Sequence, residues 1–439
     1  MKIKQRLLVL MCVMGLVIAG SSLSASAAGK PVSLSKSRIT MKAGESRTVI
    51  VKQAGGVAIS KKTFTSSNKK VASVTKKGRI TAKKIGNCTI RVIVQYGKGN
   101  KNLTATLKCK VSVTGSSNST PETIDDATAL KQLITEQRAS GAKVEESLTS
   151  WQYEWDKDGN LTSINWRGCN LKGDISFASF SKLDALMCPN GKLTGLDISK
   201  NTVLRALECE GNNLASLDVS QNPLLEWITC DDNRITSLDV SKNTALTVLG
   251  CSSNKLENLD VSNNTALKLL DCGKNELTSL DVSKNPALGD LSCSVNRLTS
   301  LDVSNNLALR HLACSENELT SLDVSKNLDL EFLVCCQNSL TNLDISQNTN
   351  LEDLYCFKND LANLDVSNNT LLRNLSCYSN KLTSLDISTN TVLMNLWCFY
   401  NGLTSLDVSN NKRLIYLSCD DISITGYNPN ILDIVTEHD

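Results

Sequence analysis

From Leu183 onward, apolar and polar positions recur every 21 residues. One unit sets Leu204, Leu207, Cys209, Leu214, Leu217 and Val219 against Asn212, Asp218, Ser220 and Asn222. The next places Leu225, Ile228, Cys230, Ile235, Leu238 and Val240 against Asn233, Asp239, Ser241 and Asn243. About twelve such units run to the C-terminus. An apolar-x-apolar triplet sends both apolar groups to one side of a strand. Each unit holds the pattern twice, so each coil is expected to have two extended sides around one interior. A single coil has nothing else to bury against, which makes stacking obligatory.

The polar columns have separate tasks. Asn212, Asn233, Asn254, Asn275, Asn296, Asn317, Asn338, Asn359, Asn380 and Asn401 fall where the chain leaves the first strand. A turn there strands backbone N–H and C=O groups, and an inward amide can satisfy both. The cysteines from Cys188 to Cys419 form a straight column, which does not converge tetrahedrally on a zinc ion. It reads as a small apolar core position. Cys336, next to Cys335, is expected to point outward as an exposed thiol. The aspartates from Asp197 to Asp407 form an outward column with serines two residues on. Calcium binding and a solvated structural role are both open there.

The N-terminal third has another pattern. Lys2, Lys4 and Arg6 precede an apolar run from Leu7 to Ala19 and a small-residue site at Ala25-Ser26-Ala27, which reads as an export signal over residues 1–28. Residues 30–114 break into short strands: 39–41, 71–74, 80–82, 88–96 and 103–113, with turns at Gly44, Gly78, Gly86 and 97–100. Many short strands with Gly turns imply a β-sandwich. Residues 115–121 are a polar linker. Asp126 is expected to N-cap a short helix, and strands at 151–155 and 161–166 follow. Residues 122–182 then form an α/β cap on the open end of the solenoid. The repeats occupy 183–419, and 420–439 form a C-terminal cap.

Ser66-Ser67-Asn68, Val71-Ala72-Ser73-Val74, Gly78, Ile80-Thr81-Ala82 and Gly86 resemble the group 2 bacterial Ig-like domain over most of 31–113. Phe64 stands where that family usually has Trp and is expected to fill the same core slot. The resemblance implies a spacer or adhesion module. Cys88 and Cys109 are symmetric about the last turn, so they are expected to face each other and are a possible disulfide. Two buried free thiols are the other reading. The 21-residue pattern resembles the internalin J-type repeats of bacterial surface proteins, which implies a right-handed leucine-rich-repeat solenoid with a parallel sheet and a role in adhesion or partner binding. Internalins often carry a wall-sorting signal; the segment 431–439 has no such motif. The fold class is therefore mainly β, an Ig-like sandwich followed by a solenoid.

Charge divides the chain at the same boundary. Residues 30–114 hold twenty Lys and Arg and one acid, Glu45, whereas the rest of the mature chain is acidic. A basic exported module suits an anionic wall polymer better than nucleic acid, and a solvated basic face is the plainer reading. Catalysis has little material: His311 and His438 are the two histidines, and the serines and aspartates recur in every coil. No enzyme activity, cofactor or metal is expected. No stretch after the signal is apolar enough to span a bilayer.

The non-repeating positions carry the information. Around the Leu-x-Cys strand the middle units are small or polar (Gly250, Ser252, Ser292, Ser294), and the last units are aromatic. Phe332, Tyr355, Phe357, Tyr378, Trp397, Phe399, Tyr400 and Tyr416 are the expected ligand-binding residues, most of them outward by strand alternation. A hydrophobic cap packed under the C-terminal tail is the competing account. The functional expectation is a secreted or cell-surface protein that binds a protein partner. A carbohydrate or cell-wall polymer ligand is the alternative.

Overall fold

The computed structural model describes residues 32–53, 57–98, 101–114, 125–427 and 433–436. The export signal at 1–28, the linker at 115–121 and parts of the last segment lie outside these. The described chain divides into two compact units on either side of residues 123 and 124.

In the N-terminal unit, a four-stranded sheet runs in the order Arg38–Lys42, Lys101–Thr114, Gly86–Lys98, Val57–Ser66. A three-stranded sheet holds Ser46–Thr48, Arg79–Ala82 and Ala72–Val74. Alternation in the long strands buries Ile90, Val92 and Val94 against Val111, Val113, Ile39 and Met41. Phe64 packs against this core. Gly78 permits that packing: at φ 82°, a Cβ there would lie 2.5 Å from the Val49 carbonyl and 3.1 Å from the Phe64 ring. The strand 57–66 was not read from the sequence, because Lys61 and Lys62 interrupt its apolar alternation.

The hairpin corrects the expected cysteine register. Cys88 pairs with Val111, and Cys109 pairs with Ile90. The strands run on to a Lys98–Lys101 pair, so the turn is centred one residue later than the sequence symmetry implied. The two cysteines are therefore diagonal neighbours, not opposite ones. Both are buried free thiols.

The second unit begins with the helix Asp126–Ala139, which buries Ala129, Leu130 and Ile134. Its N-cap is Asp125, whose carboxylate accepts from the Thr128 N–H at 2.7 Å. The expected cap, Asp126, instead accepts from the Leu161 N–H at 2.7 Å and ties the helix to the first hairpin. In that hairpin Tyr153–Trp155 pairs antiparallel with Leu161–Asn165. Leu161–Asn165 then pairs parallel with Ala185–Met187, so the cap is continuous with the solenoid sheet.

Fifteen strands make up that sheet, ending at Tyr416–Cys419 and Asp433–Thr436. Register advances by one repeat per strand: Leu207 pairs with Ile228, Ile228 with Leu249, Leu249 with Leu270. The leucines of this column and the cysteines from Cys188 to Cys419 form one continuous core. Burial holds thiols such as Cys209, Cys230 and Cys251 well above their ordinary pKa. All are free. Each is protonated and shielded, which makes it a weak nucleophile.

The second half of the coil departs from expectation. It buries Leu217, Val219 and their counterparts, but a parallel ladder forms there only at the ends, Lys172–Ser176 with Lys192–Asp197 and Ser405–Asp407 with Ser423–Thr425. Between them, single bonds such as Arg234 N–H to the Leu214 carbonyl join successive coils. Asparagine takes over the remaining pairing. Asn254 Nδ2 donates to the carbonyls of Cys230, Cys251 and Ser252, and its Oδ1 accepts from the Ile235 N–H. A second column, from Asn201 to Asn411, was not singled out from the sequence. There Asn264 Nδ2 donates to the Val240 and Asn243 carbonyls.

The residue before each inner asparagine adopts positive φ, 49° at Asp232 and 52° at Tyr400. This left-handed step turns the strand so that the following amide points inward. The aspartate column closes the other corner: Asp239 Oδ1 accepts from the Ser241 N–H at 3.0 Å, and equivalent bonds recur down the column. These bonds hold the carboxylates from Asp239 to Asp407 below their ordinary pKa.

Candidate ligand-binding surface

The free face of the long sheet presents three residues per coil: those just before and just after the central leucine, and the one after the cysteine. From Ala185 to Asp420 these positions include seven acids, one histidine and no lysine or arginine. Several arginines stand at the rim, paired in register, as in Arg205 with Asp184 and Glu226 or Arg373 with Glu352. This one-sided exclusion is readable in the 21-residue columns of the sequence.

Along the sheet the face changes character. Its early coils carry Glu208, Glu210, Asp231 and Asp271. Asp231 lies across Gly250, where a Cβ would meet its Oδ2 at 2.5 Å, and accepts from the Ser252 N–H at 2.7 Å and Oγ at 2.8 Å. Burial, aided by the charge of Asp271, raises its pKa to about 7. Burial also raises Glu210, which accepts from the Thr229 hydroxyl at 2.8 Å. Among the described residues no three His, Cys, Asp or Glu side chains are grouped to hold a metal ion.

The late coils carry most of the aromatics, Trp227 standing alone in an early coil, and the structure sorts the late ones into three groups. Phe332 meets Tyr355 with ring centroids 5.8 Å apart. Phe357, Tyr378 and Phe399 stack face to face at 4.4 Å per step, with planes within 9° and 7°, and Tyr400 closes the column edge-on at 5.0 Å. Trp397 and Tyr416 lie 5.3 Å apart at a 42° tilt. Phe332 is 8% exposed and belongs to a small apolar cluster with Ala313, Val334 and Cys336, against which Tyr355 and Phe357 pack. Tyr400 is the most open, at 43%. The other six are partly exposed. Cys336 is not the exposed thiol expected: it is 5% exposed, and its Sγ donates to Ser315 Oγ at 2.9 Å. It does point away from the core column, as alternation requires.

This geometry limits the chemistry on offer. A stacked ring has its face covered by its neighbour, so Phe357, Tyr378 and Phe399 present edges and, at Tyr378, a hydroxyl. Sugar binding by stacking needs an open ring face. An apolar ridge of ring edges suits aliphatic and aromatic side chains of a protein.

Residues 28–107 match the bacterial Ig-like domain (group 2) family. No curated protein matches the chain in sequence. Among solved structures, the functional domain of InlJ from Listeria monocytogenes, which includes a cysteine ladder, is 36% identical, with a TM-score of 0.50. The match covers 60% of this chain and 68% of that one. The internalin InlF from Listeria monocytogenes strain 4b F2365 shares the fold at 18% identity and a TM-score of 0.50, over 58% of this chain and 87% of that one. A chain of the LRIM1/APL1C complex shares it at 23% identity and a TM-score of 0.52, over 63% of this chain and 55% of that one. With its thiol column, its asparagine ladder and the InlJ match, the chain belongs to the internalin J-type family of leucine-rich-repeat proteins, preceded here by a group 2 bacterial Ig-like domain.

Proposed function

We propose that this protein is a secreted or surface-associated, non-catalytic adhesion protein that binds a protein partner on the free face of its long sheet. The observation that supports this most directly is the aromatic ridge of the late coils. Phe357, Tyr378 and Phe399 repeat at one position in three successive coils, Trp397 and Tyr416 flank them, and the core does not need any of them. Aromatic side chains offer large contact area with few rotors to freeze on binding. Family membership adds a surface or adhesion role as the expected setting. A neutral to basic, partly apolar partner fits, because the face that receives it carries seven acids and no lysine or arginine.

A glycan ligand is the second reading. Trp397 favours it, since its contact with Tyr416 is tilted rather than flush. The flush stacking of the neighbouring column weighs against it.

The test uses the full mature chain against a panel of purified surface proteins and glycans from its habitat. Tyr378→Ala and Trp397→Ala should each weaken binding of a protein ligand at least tenfold without altering the far-ultraviolet circular dichroism. Thr320→Ala, outside the three face columns, should leave binding unchanged. Unaltered affinity in both aromatic variants, or retention of glycans alone, would reject the proposal.

A further inference from the structure

One end of the Ig-like domain presents a surface that neither its core nor the solenoid reading uses. Two chain segments cross from sheet to sheet there. Residues 67–71 join the strand Val57–Ser66 of the four-stranded sheet to Ala72–Val74 of the three-stranded one, and residues 83–85 lead from Arg79–Ala82 back to Gly86–Lys98. The crossings lie side by side: the Lys83 and Lys84 N–H groups both donate to the Val71 carbonyl, at 2.8 and 3.2 Å. The first crossing is fixed in place. The Ser67 N–H donates to the Thr89 carbonyl at 2.9 Å, the Thr89 N–H returns a bond to Ser67 Oγ at 2.8 Å, and Asn68 Oδ1 accepts from the Lys70 N–H at 3.1 Å.

Toward solvent these crossings show four exposed lysines, Lys69, Lys70, Lys83 and Lys84, together with Ile85, which is 65% exposed. The domain has one carboxylate between residues 32 and 114, Glu45. It reaches the same end of the sandwich, where its carbonyl accepts from the Ala82 N–H at 2.9 Å. Its side chain is engaged elsewhere, 3.7 Å from the Arg47 guanidinium and accepting from the Lys42 N–H at 3.1 Å. The four lysines are therefore not neutralised locally. A single exposed apolar residue needs no explanation. An isoleucine set among unneutralised lysines on two braced loops matches a particular environment, an apolar layer that lies just beneath a layer of anions.

We infer that this end of the Ig-like domain docks on an anionic lipid bilayer, with Ile85 entering the headgroup boundary and the four lysines meeting lipid phosphates. A soluble polyanion would reward the lysines alone, whereas a bilayer also rewards burial of Ile85. Neither crossing carries an aromatic ring on which a nucleic-acid base could stack. Because hydrogen bonds already hold both crossings, little chain entropy is lost on docking. The inference is independent of the solenoid proposal, and either can fail alone.

The experiment sediments the full mature chain with mixed phosphatidylglycerol–phosphatidylcholine vesicles and with vesicles of phosphatidylcholine alone. The chain should partition onto the mixed vesicles about tenfold better, and salt should weaken that partitioning. Lys83→Gln with Lys84→Gln should reduce it about fivefold or more. Ile85→Ser keeps every charge and should reduce it about threefold or more, while Ile85→Trp should strengthen it. Lys61→Gln with Lys62→Gln removes the same charge from the strand Val57–Ser66, away from the crossings, and should change it by less than about twofold. All the replaced side chains are exposed, so each variant should keep the Tm of the parent. Equal binding to the two kinds of vesicle, or equal losses in the two lysine pairs, would overturn the inference. So would parental binding by Ile85→Ser, which would mark this end as a site for a soluble polyanion instead.

Discussion

Single residues in this protein set opposing responses to pH. The aspartates from Asp239 to Asp407 have folded pKa values below their unfolded ones, through hydrogen bonds from the serine two residues on. Their contribution is present above the unfolded pKa and is lost as pH falls through the folded one. Asp231 acts in the reverse sense. Its folded pKa is raised to about 7 by burial, so the ionised form is the disfavoured one. Stability tied to it is full below about pH 4 and declines as pH rises toward 7. Asp231→Asn should flatten that decline and add about 2 kcal/mol at pH 8. Chemical denaturation at pH 4, 6 and 8 tests this; an unchanged slope would show that Asp231 is solvated. The sequence did not reveal this residue, because its burial depends on Gly250 one coil later leaving room for the carboxylate. The N-cap was hidden for a related reason. Asp125 and Asp126 are equivalent as letters, and only the docking of Asp126 on the Leu161 N–H decides which one caps the helix.

At the scale of an element, the coil is held by two asparagine columns that are unequal. Asn254 makes four hydrogen bonds to backbone across two coils, whereas Asn264 donates two and its buried Oδ1 accepts none. Asn254→Ala strands several buried backbone groups and should cost about 3 kcal/mol. Asn264→Ala strands fewer and also removes an unsatisfied oxygen, so it should cost about 1 kcal/mol. Urea unfolding of the two variants checks the order, and a larger loss at Asn264 would reverse this account. The inner column was legible because a turn after a Leu-x-Cys strand needs an inward amide. The second one, from Asn201 to Asn411, was not, since Asn-rich corners also occur where side chains simply face solvent. Strand register in the Ig-like hairpin was likewise beyond the sequence. A Gly-rich turn admits more than one centre, and the choice moved Cys88 and Cys109 from opposite to diagonal positions.

For the whole molecule, the 21-residue period made the architecture readable. Leucine, cysteine and asparagine each keep one place per coil, and repetition over many units leaves no competing phase. What lay beyond reach was how outward side chains meet across coils. The sequence put the aromatics on one face, but only the coil-to-coil stacking shows which rings turn their faces to each other. Because every coil contacts only its neighbours, the core is additive along its axis. Excising residues 256–276 joins Lys255 to Leu277 in phase and should leave a cooperative fold with a Tm within several degrees of the parent. Excising 256–275 shifts the leucines out of phase and should abolish cooperative thermal unfolding. Equal behaviour of the two deletions would deny that the period governs stability.

The strand Tyr153–Trp155 runs against the direction of every strand beyond it. A second molecule arriving tail-first at this border would meet backbone pointing the wrong way for the parallel ladder that joins coil to coil. Open rows of identical strands are otherwise natural seeds for fibres. One reversed hairpin therefore gives an indefinitely extendable motif a definite beginning.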